Sequence, residues 1–291
     1  MMSGKWDTPL RIGSQDIVAG ANIVLRNMGF SGQTFTRLTS EDPLYSDELS
    51  FAFFDKEWGV RAALFTAVDT KKETAWFKTL FCAPYLESEF ESKIKRVLHT
   101  LKSKGVKEVR ACDRAGYHFK AGIEQAQTVE KSVLNRLGFQ TVKSLVDCEL
   151  DLRLFSEFRK KEFLLGDYLI RSAQDHKKLL KFVTLNFGEN WAREVKASFE
   201  RGGVIEAIKK DEIVGFAAYS GFEREWFGPI GVLAEHRKRG VGSNLLFAAL
   251  TRMREAGVTL VIIPWTEHLL FYSQTNAITA VRRLDVMSIK L

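Results

Sequence analysis

What this 291-residue chain lacks narrows its class before any motif is read. No apolar run approaches the ~20 residues that a membrane-crossing helix needs. The start, Met-Met-Ser-Gly-Lys-Trp-Asp, has no apolar signal core, so export is not expected and a cytoplasmic location is. Three cysteines occur, Cys82, Cys112 and Cys148. They are odd in number, far apart and not in C-x-x-C spacing, which reads as buried free thiols in a reducing compartment. The five histidines are scattered, so no metal site is expected. What remains is 45% hydrophobic and 27% charged, a globular composition, over a length sufficient for two domains.

Positive charge is unevenly distributed. Residues 1–152 carry 21 basic and 20 acidic side chains, whereas 153–291 carry 22 and 16. The excess suits a polyanionic ligand of the second half. The single run His236-Arg-Lys-Arg239 has no interleaved aromatics, so a nucleic-acid partner is not expected.

That run sits inside the most informative stretch, Gly228-Pro-Ile-Gly-Val-Leu-Ala-Glu-His-Arg-Lys-Arg-Gly-Val-Gly-Ser-Asn-Leu-Leu246. An apolar strand enters a basic turn, and the turn opens a helix whose apolar residues Leu245, Leu246, Ala249, Leu250 and Met253 share one face. A helix start presents unpaired N–H groups and the positive end of a dipole. Gly240 and Gly242 remove Cβ atoms that would hold a phosphate away from that backbone, and Arg237, Lys238 and Arg239 add cations. A Rossmann loop would need a third glycine, but residue 245 is leucine, and no opening βαβ unit ends in an acidic residue.

Arg237-x-x-Gly240-x-Gly242 resembles the acetyl-CoA pyrophosphate loop of the GNAT superfamily of acyl-CoA N-acyltransferases. Glu225–Leu233 resembles its fourth strand, and Phe271-Tyr272 its tyrosine-bearing turn near the cofactor sulfur. The resemblance implies an α/β fold with a mixed, mostly antiparallel sheet and a splayed central strand pair flanked by helices. It implies acetyl-CoA as cosubstrate, without metal, held by Ile230, Gly231, Val232, Arg237, Lys238, Arg239, Gly240, Val241, Gly242 and Ser243. The Val232 N–H would polarise the thioester carbonyl. Tyr272 would protonate the departing thiolate, or else is simply a packed tyrosine. Phe187 and Trp191 line the acceptor side or pack a helix hairpin. Glu206, Glu225, Glu267 and His268 are charges that the splayed strands bring near, and none is singled out as base.

The halves echo each other. Asp55–Leu64 parallels Lys210–Tyr219, Ala75-Trp-Phe77 parallels Glu225-Trp-Phe227, and helix 90–103 parallels helix 243–255. Lys104–Ala111 parallels Ala256–Ile263, each a C-cap glycine followed by a strand, and 137–150 parallels 277–289. The organisation expected is a degenerate GNAT-like domain at 1–152, a linker at 153–166 and a working domain at 167–291, as in tandem-repeat GNAT proteins. The first copy has Pro84-Tyr-Leu-Glu-Ser-Glu-Phe-Glu91 where the second has its loop, with Glu87, Glu89 and Glu91 where a pyrophosphate would sit. Its Tyr117-His-Phe-Lys-Ala-Gly122 lies on an extra loop that could serve the acceptor site. The expected activity is direct transfer of acetyl to a primary amine of a small molecule or amino sugar. The alternatives are a protein or peptide amine, or a non-catalytic CoA-binding scaffold.

Overall fold

The computed structural model describes residues 14–25, 29–55, 59–160 and 162–291. Met1–Asp7 and residues Lys56, Glu57 and Trp58, read above as part of the segment that parallels Lys210–Tyr219, lie outside them. Two compact units result, Met1–Leu145 with Arg283–Leu291, and Val146–Arg282.

The first unit opens with α1 (Ser14–Val24) and α2 (Gly32–Leu38), the latter closed at its start by a Ser31/Thr34 capping box. Strands β1 (Phe51–Asp55), β2 (Gly59–Asp69) and β3 (Thr74–Cys82) run antiparallel, and β3 then pairs in parallel with β4 (Glu108–Ala111). Between β3 and β4 runs α3 (Glu87–Ser103), which buries Phe90, Ile94, Val97, Leu98 and Leu101. These are the residues its 3.6-residue period picks out. They pack on Ala75, Phe77 and Leu80 of β3. The other sheet face packs α1 and α2 around Phe30, Phe65 and Phe81. A short strand β5 (Ile123–Glu124), α4 (Thr128–Arg136) and the long β6 (Gln140–Asp151) complete the repeat.

The second unit repeats this plan. Strands β7 (Glu162–Leu165) and β8 (Tyr168–Ser172) precede a helical hairpin, α5 (His176–Phe187) and α6 (Glu189–Arg201). Then come β9 (Gly203–Lys209), β10 (Glu212–Tyr219), β11 (Phe227–Val232) and α7 (Val241–Glu255). After them follow β12 (Leu260–Thr266), α8 (Leu269–Ser273) and β13 (Ile278–Lys290). The sheet order is β11-β10-β9-β8-β7, antiparallel throughout. Leu245, Leu246, Ala249, Leu250 and Met253 of α7 are all buried on one sheet face, and α5 and α6 cover Val204, Phe216 and Ala218 on the other.

The closing strands are exchanged. The later half of β6 pairs with β12, from Val146↔Thr266 to Asp151↔Leu260, within the second unit. The end of β13 pairs with β4, from Met287↔Ala111 to Lys290↔Glu108, within the first. The unit boundaries therefore fall inside β6 and β13, not at residue 152. Nor is 153–166 free of structure, because it contributes β7 to the second sheet.

Candidate active site

Strand β11 is an edge of its sheet, and just before it an isolated parallel bridge joins Trp226 to Ile262 of β12. There the Ile262 N–H donates to the Glu225 carbonyl at 2.8 Å. Beyond that vertex β11 follows β10 and β12 follows β6, so the two part. Which groups face the opening follows from the ladder. Leu233 N–H donates to Val214 O at 2.9 Å, and the register continues Gly215↔Val232, Phe216↔Gly231, Ala217↔Ile230. Antiparallel pairs alternate between hydrogen-bonded and not. Gly231 is thus bonded to β10, whereas Ile230 and Val232 turn N–H and C=O away from it. The Val232 carbonyl accepts from Arg237 Nε at 2.9 Å on that side.

A short 3-10 turn, Ala234–His236, carries the chain from β11 to the basic residues. Arg237, Lys238 and Arg239 are exposed. Gly240 is the N-cap of α7 at φ +79°, where a side chain would be strained, and no side chain caps the helix. The first-turn N–H groups therefore point outward beside three cations. Gly242 lies where α7, β11 and α8 meet: a Cβ there would be 3.4 Å from Phe271 Cε2 and 3.8 Å from Val232 Cγ2. The side chain of Val241 is buried in the core and Ser243 is half-buried, so the backbone of these two residues is what they offer. Two supports escaped the sequence reading. Asn244 donates from Nδ2 to the Gly240 carbonyl at 3.0 Å and accepts from Arg159 Nε at 2.8 Å. His236 Nδ1 bonds the Tyr168 hydroxyl at 3.1 Å. Arg159 comes from the segment expected to be a linker, and no local pattern marks it.

Tyr272 stands on α8, edge-on to Phe227 and Phe271 with ring centroids at 6.2 and 5.0 Å. Its side chain is buried. Burial pushes its pKa up to about 12, so the phenol keeps its proton at neutral pH. Phe187 and Trp191 stack at 5.4 Å and 6°, and both meet the Phe216 ring edge-on. A Cβ on Gly231 would be 2.7 Å from Phe187 Cε1, so this aromatic pair reaches β11. Among the charges, Glu206 is buried and ion-paired with Arg171 at 3.0 Å, and Glu225 is exposed at the vertex. Tyr117 belongs to the first unit, beneath the Arg114 guanidinium at 4.9 Å. His118 is buried beside it, and burial pulls its pKa down to about 4.

The first repeat has the same parts in the same order: β3, a 3-10 turn at Pro84–Leu86, then α3. Strands β3 and β4 pair as far as Phe77↔Ala111 and then part. Counting from the turn, Leu80, Phe81 and Cys82 correspond to Ile230, Gly231 and Val232. Here the outward groups are taken. Cys82 N–H donates to Glu130 Oε1 at 2.8 Å, and Gln127 Nε2 donates to the Leu80 carbonyl at 3.5 Å. Glu130 is buried, and that burial outweighs its hydrogen bonds and raises its pKa. At the helix start, Arg136 holds Glu87 at 2.6 Å and Glu91 at 2.7 Å. The acidic start was legible in the sequence, but the plug by Glu130 was not, because it lies far along the chain from β3.

Among the described residues, no helix is long and apolar enough to cross a membrane, and no cluster of His, Cys, Asp or Glu could hold a metal ion. Residues 171–270 match the Acetyltransferase (GNAT) family. No curated protein sequence matches the chain. Among solved structures, it is similar to a GCN5-related glucosamine N-acetyltransferase region of a fungal multi-domain GH3 beta-N-acetylglucosaminidase, with TM-score 0.73 and 14% identity over 95% of this chain. The chain spans only 37% of that fungal protein. It is also similar to a GCN5-related N-acetyltransferase from Sphaerobacter thermophilus, with TM-score 0.67 and 12% identity over 95% of this chain and 91% of the other. A tandem GNAT protein from the clavulanic acid biosynthesis pathway gives TM-score 0.68 and 13% identity over 96% and 94%. At such identities the likeness shows the fold.

Proposed function

We propose that this chain, whose residues 171–270 form a GNAT-family domain within a tandem GNAT fold, is an acetyl-CoA-dependent N-acetyltransferase working through its second repeat. One contrast carries the reading: the second repeat leaves the Val232 N–H turned into an open strand wedge beside an uncapped, glycine-opened helix, while the first closes its equivalent wedge with Glu130. The first-turn N–H groups of α7, with Arg237, Lys238 and Arg239, hold the pyrophosphate. Ile230 and Val232 hold the pantetheine arm. Val232 N–H donates to the thioester oxygen as negative charge gathers there. The amine attacks directly, since both substrates lie in one wedge. Tyr272, kept protonated by burial, gives its proton to the departing thiolate, and the proton shed by the attacking nitrogen passes to solvent, from which the phenolate is reprotonated.

The acceptor is a primary amine of a small molecule or amino sugar. The fungal neighbour is described as a glucosamine N-acetyltransferase region, which supports the sugar reading by analogy. Calorimetry of the intact chain with acetyl-CoA tests the proposal, followed by release of free CoA across an amine panel. One equivalent per chain and turnover with some member are expected. No binding refutes the reading, two equivalents refute the plugged first repeat, and binding without turnover on a broad panel of small and peptide amines leaves a CoA-binding scaffold.

A further inference from the structure

One residue of β11, between the two outward-turned ones, has its face filled from outside the strand. In the second repeat Gly231 sits between the two outward-turned residues, Ile230 and Val232. Its α7-side neighbours are the side chains of those two, which pack on the α7 core. Its other face meets Phe187, so closely that a Cβ on Gly231 would fall 2.7 and 2.8 Å from two ring carbons. Contacts that short do not occur, so the ring fills the space a side chain would take. Phe187 is the last residue of α5, and Gly188 at φ +94° turns the chain straight into α6. Trp191 stacks on the ring, and Phe182 and Phe216 hold its edges at 5.9 and 5.4 Å. It is therefore a braced wall.

The first repeat supplies an internal comparison. Phe81 stands in the place of Gly231, fully buried, with Phe30 edge-on at 6.4 Å just before α2. There the strand itself carries the ring. In the second repeat the strand gives up its side chain, and the ring comes from the helical hairpin, where it covers the face of Gly231 without belonging to the strand.

We propose that Phe187 sets the length of the acyl group, so that the second repeat accepts acetyl and excludes longer chains. This rests on the CoA reading of the same site. A thioester whose oxygen is held by Val232 N–H lies in the sheet plane beside Gly231, and its acyl carbons run toward the Phe187 ring. Acetyl ends before it. Each further methylene must displace a ring fixed by three aromatic neighbours.

The test needs no acceptor. CoA, acetyl-CoA, butyryl-CoA and hexanoyl-CoA are titrated by calorimetry into the full-length wild type, Phe187→Ala and Phe187→Leu. Wild type should bind acetyl-CoA at least tenfold more tightly than hexanoyl-CoA. Phe187→Ala should reduce that ratio at least tenfold while leaving affinity for CoA itself unchanged, and Phe187→Leu should fall between; the leucine variant decides the matter if the alanine variant does not fold. Equal wild-type affinity for acetyl- and hexanoyl-CoA, or a ratio unmoved by both variants, overturns the proposal while the CoA site stands. Failure of wild type to bind any of the four overturns the CoA reading and this one with it.

Discussion

Gly242→Ala separates stability from ligand binding, because the two should move in opposite directions. Gly242 is the second residue of α7, and unlike Gly240 it does not have a positive φ. A methyl group there would meet Phe271 Cε2 at 3.4 Å and Val232 Cγ2 at 3.8 Å, ordinary contact that demands no rearrangement. Alanine also loses less backbone freedom on folding. In a helix interior it gains roughly 0.5–1 kcal/mol over glycine, and about half of that is reasonable for a first-turn position. The melting temperature should therefore rise by about 1–2 °C. On the proposed reading of the loop cofactor affinity should fall, because the methyl group would crowd a phosphate approaching the first-turn N–H groups. Loss of one charge-assisted hydrogen bond costs about 1.5–3 kcal/mol, or roughly 10–100-fold in Kd. Thermal scanning without ligand and calorimetry with acetyl-CoA read the two effects on one sample. An unchanged Kd would mean that phosphate does not approach Gly242 and would remove the main support for the loop. A lowered melting temperature would mean that the contact geometry at Phe271 has been misjudged.

Substitutions at two further residues test the rest of the geometry. Tyr272→Phe should lower kcat by about 10²-fold or more and leave acetyl-CoA affinity nearly intact. An unchanged kcat where chemistry limits the rate would assign the residue to packing. Glu130 tests the plugged wedge of the first repeat. Its pKa is raised in the fold, so its favourable contribution is complete below the unfolded value of about 4.3 and is lost as pH climbs through the folded value. Glu130→Gln keeps an acceptor for the Cys82 N–H and should be about as stable as wild type below that pH and more stable at neutral pH. Glu130→Ala strands the donor and should cost about 1–3 kcal/mol at both. Denaturant midpoints across pH check this, and an alanine variant as stable as wild type would mean that the carboxylate closes nothing.

How much could be read beforehand differs from element to element. The apolar face of α7, its glycine-opened start and the basic triplet were legible because helix periodicity, capping and charge are local. The same holds for α3 and for the acidic residues at its start. The wedge itself was expected only through the family resemblance. Which of its backbone donors are outward follows from the Leu233–Val214 bond, which fixes the alternation along β11. Gly231, counted among the cofactor residues, turns out to be bonded toward β10, with its open face taken by Phe187. The brace from Arg159 through Asn244 to Gly240 joins residues 85 positions apart, and the Glu130–Cys82 plug joins residues 48 apart.

Local sequence was enough for the helices α3 and α7 and the strands beside them, the repetition of one strand–helix unit, and the chemical inequality of the two copies at their helix starts. Each of these depends on interactions within a few residues. Tertiary structure alone decided that the closing strands are exchanged, since the pairings of β6 with β12 and of β13 with β4 join residues far apart along the chain. It also decided that one wedge is plugged and the other open, because a buried carboxylate meets a backbone N–H only once α4 has packed beside β3. And it decided that a phenylalanine from a helical hairpin fills the space a glycine leaves on a strand. Packing at van der Waals distance is a property of the assembled sheet and helices, and no periodicity in the chain encodes it.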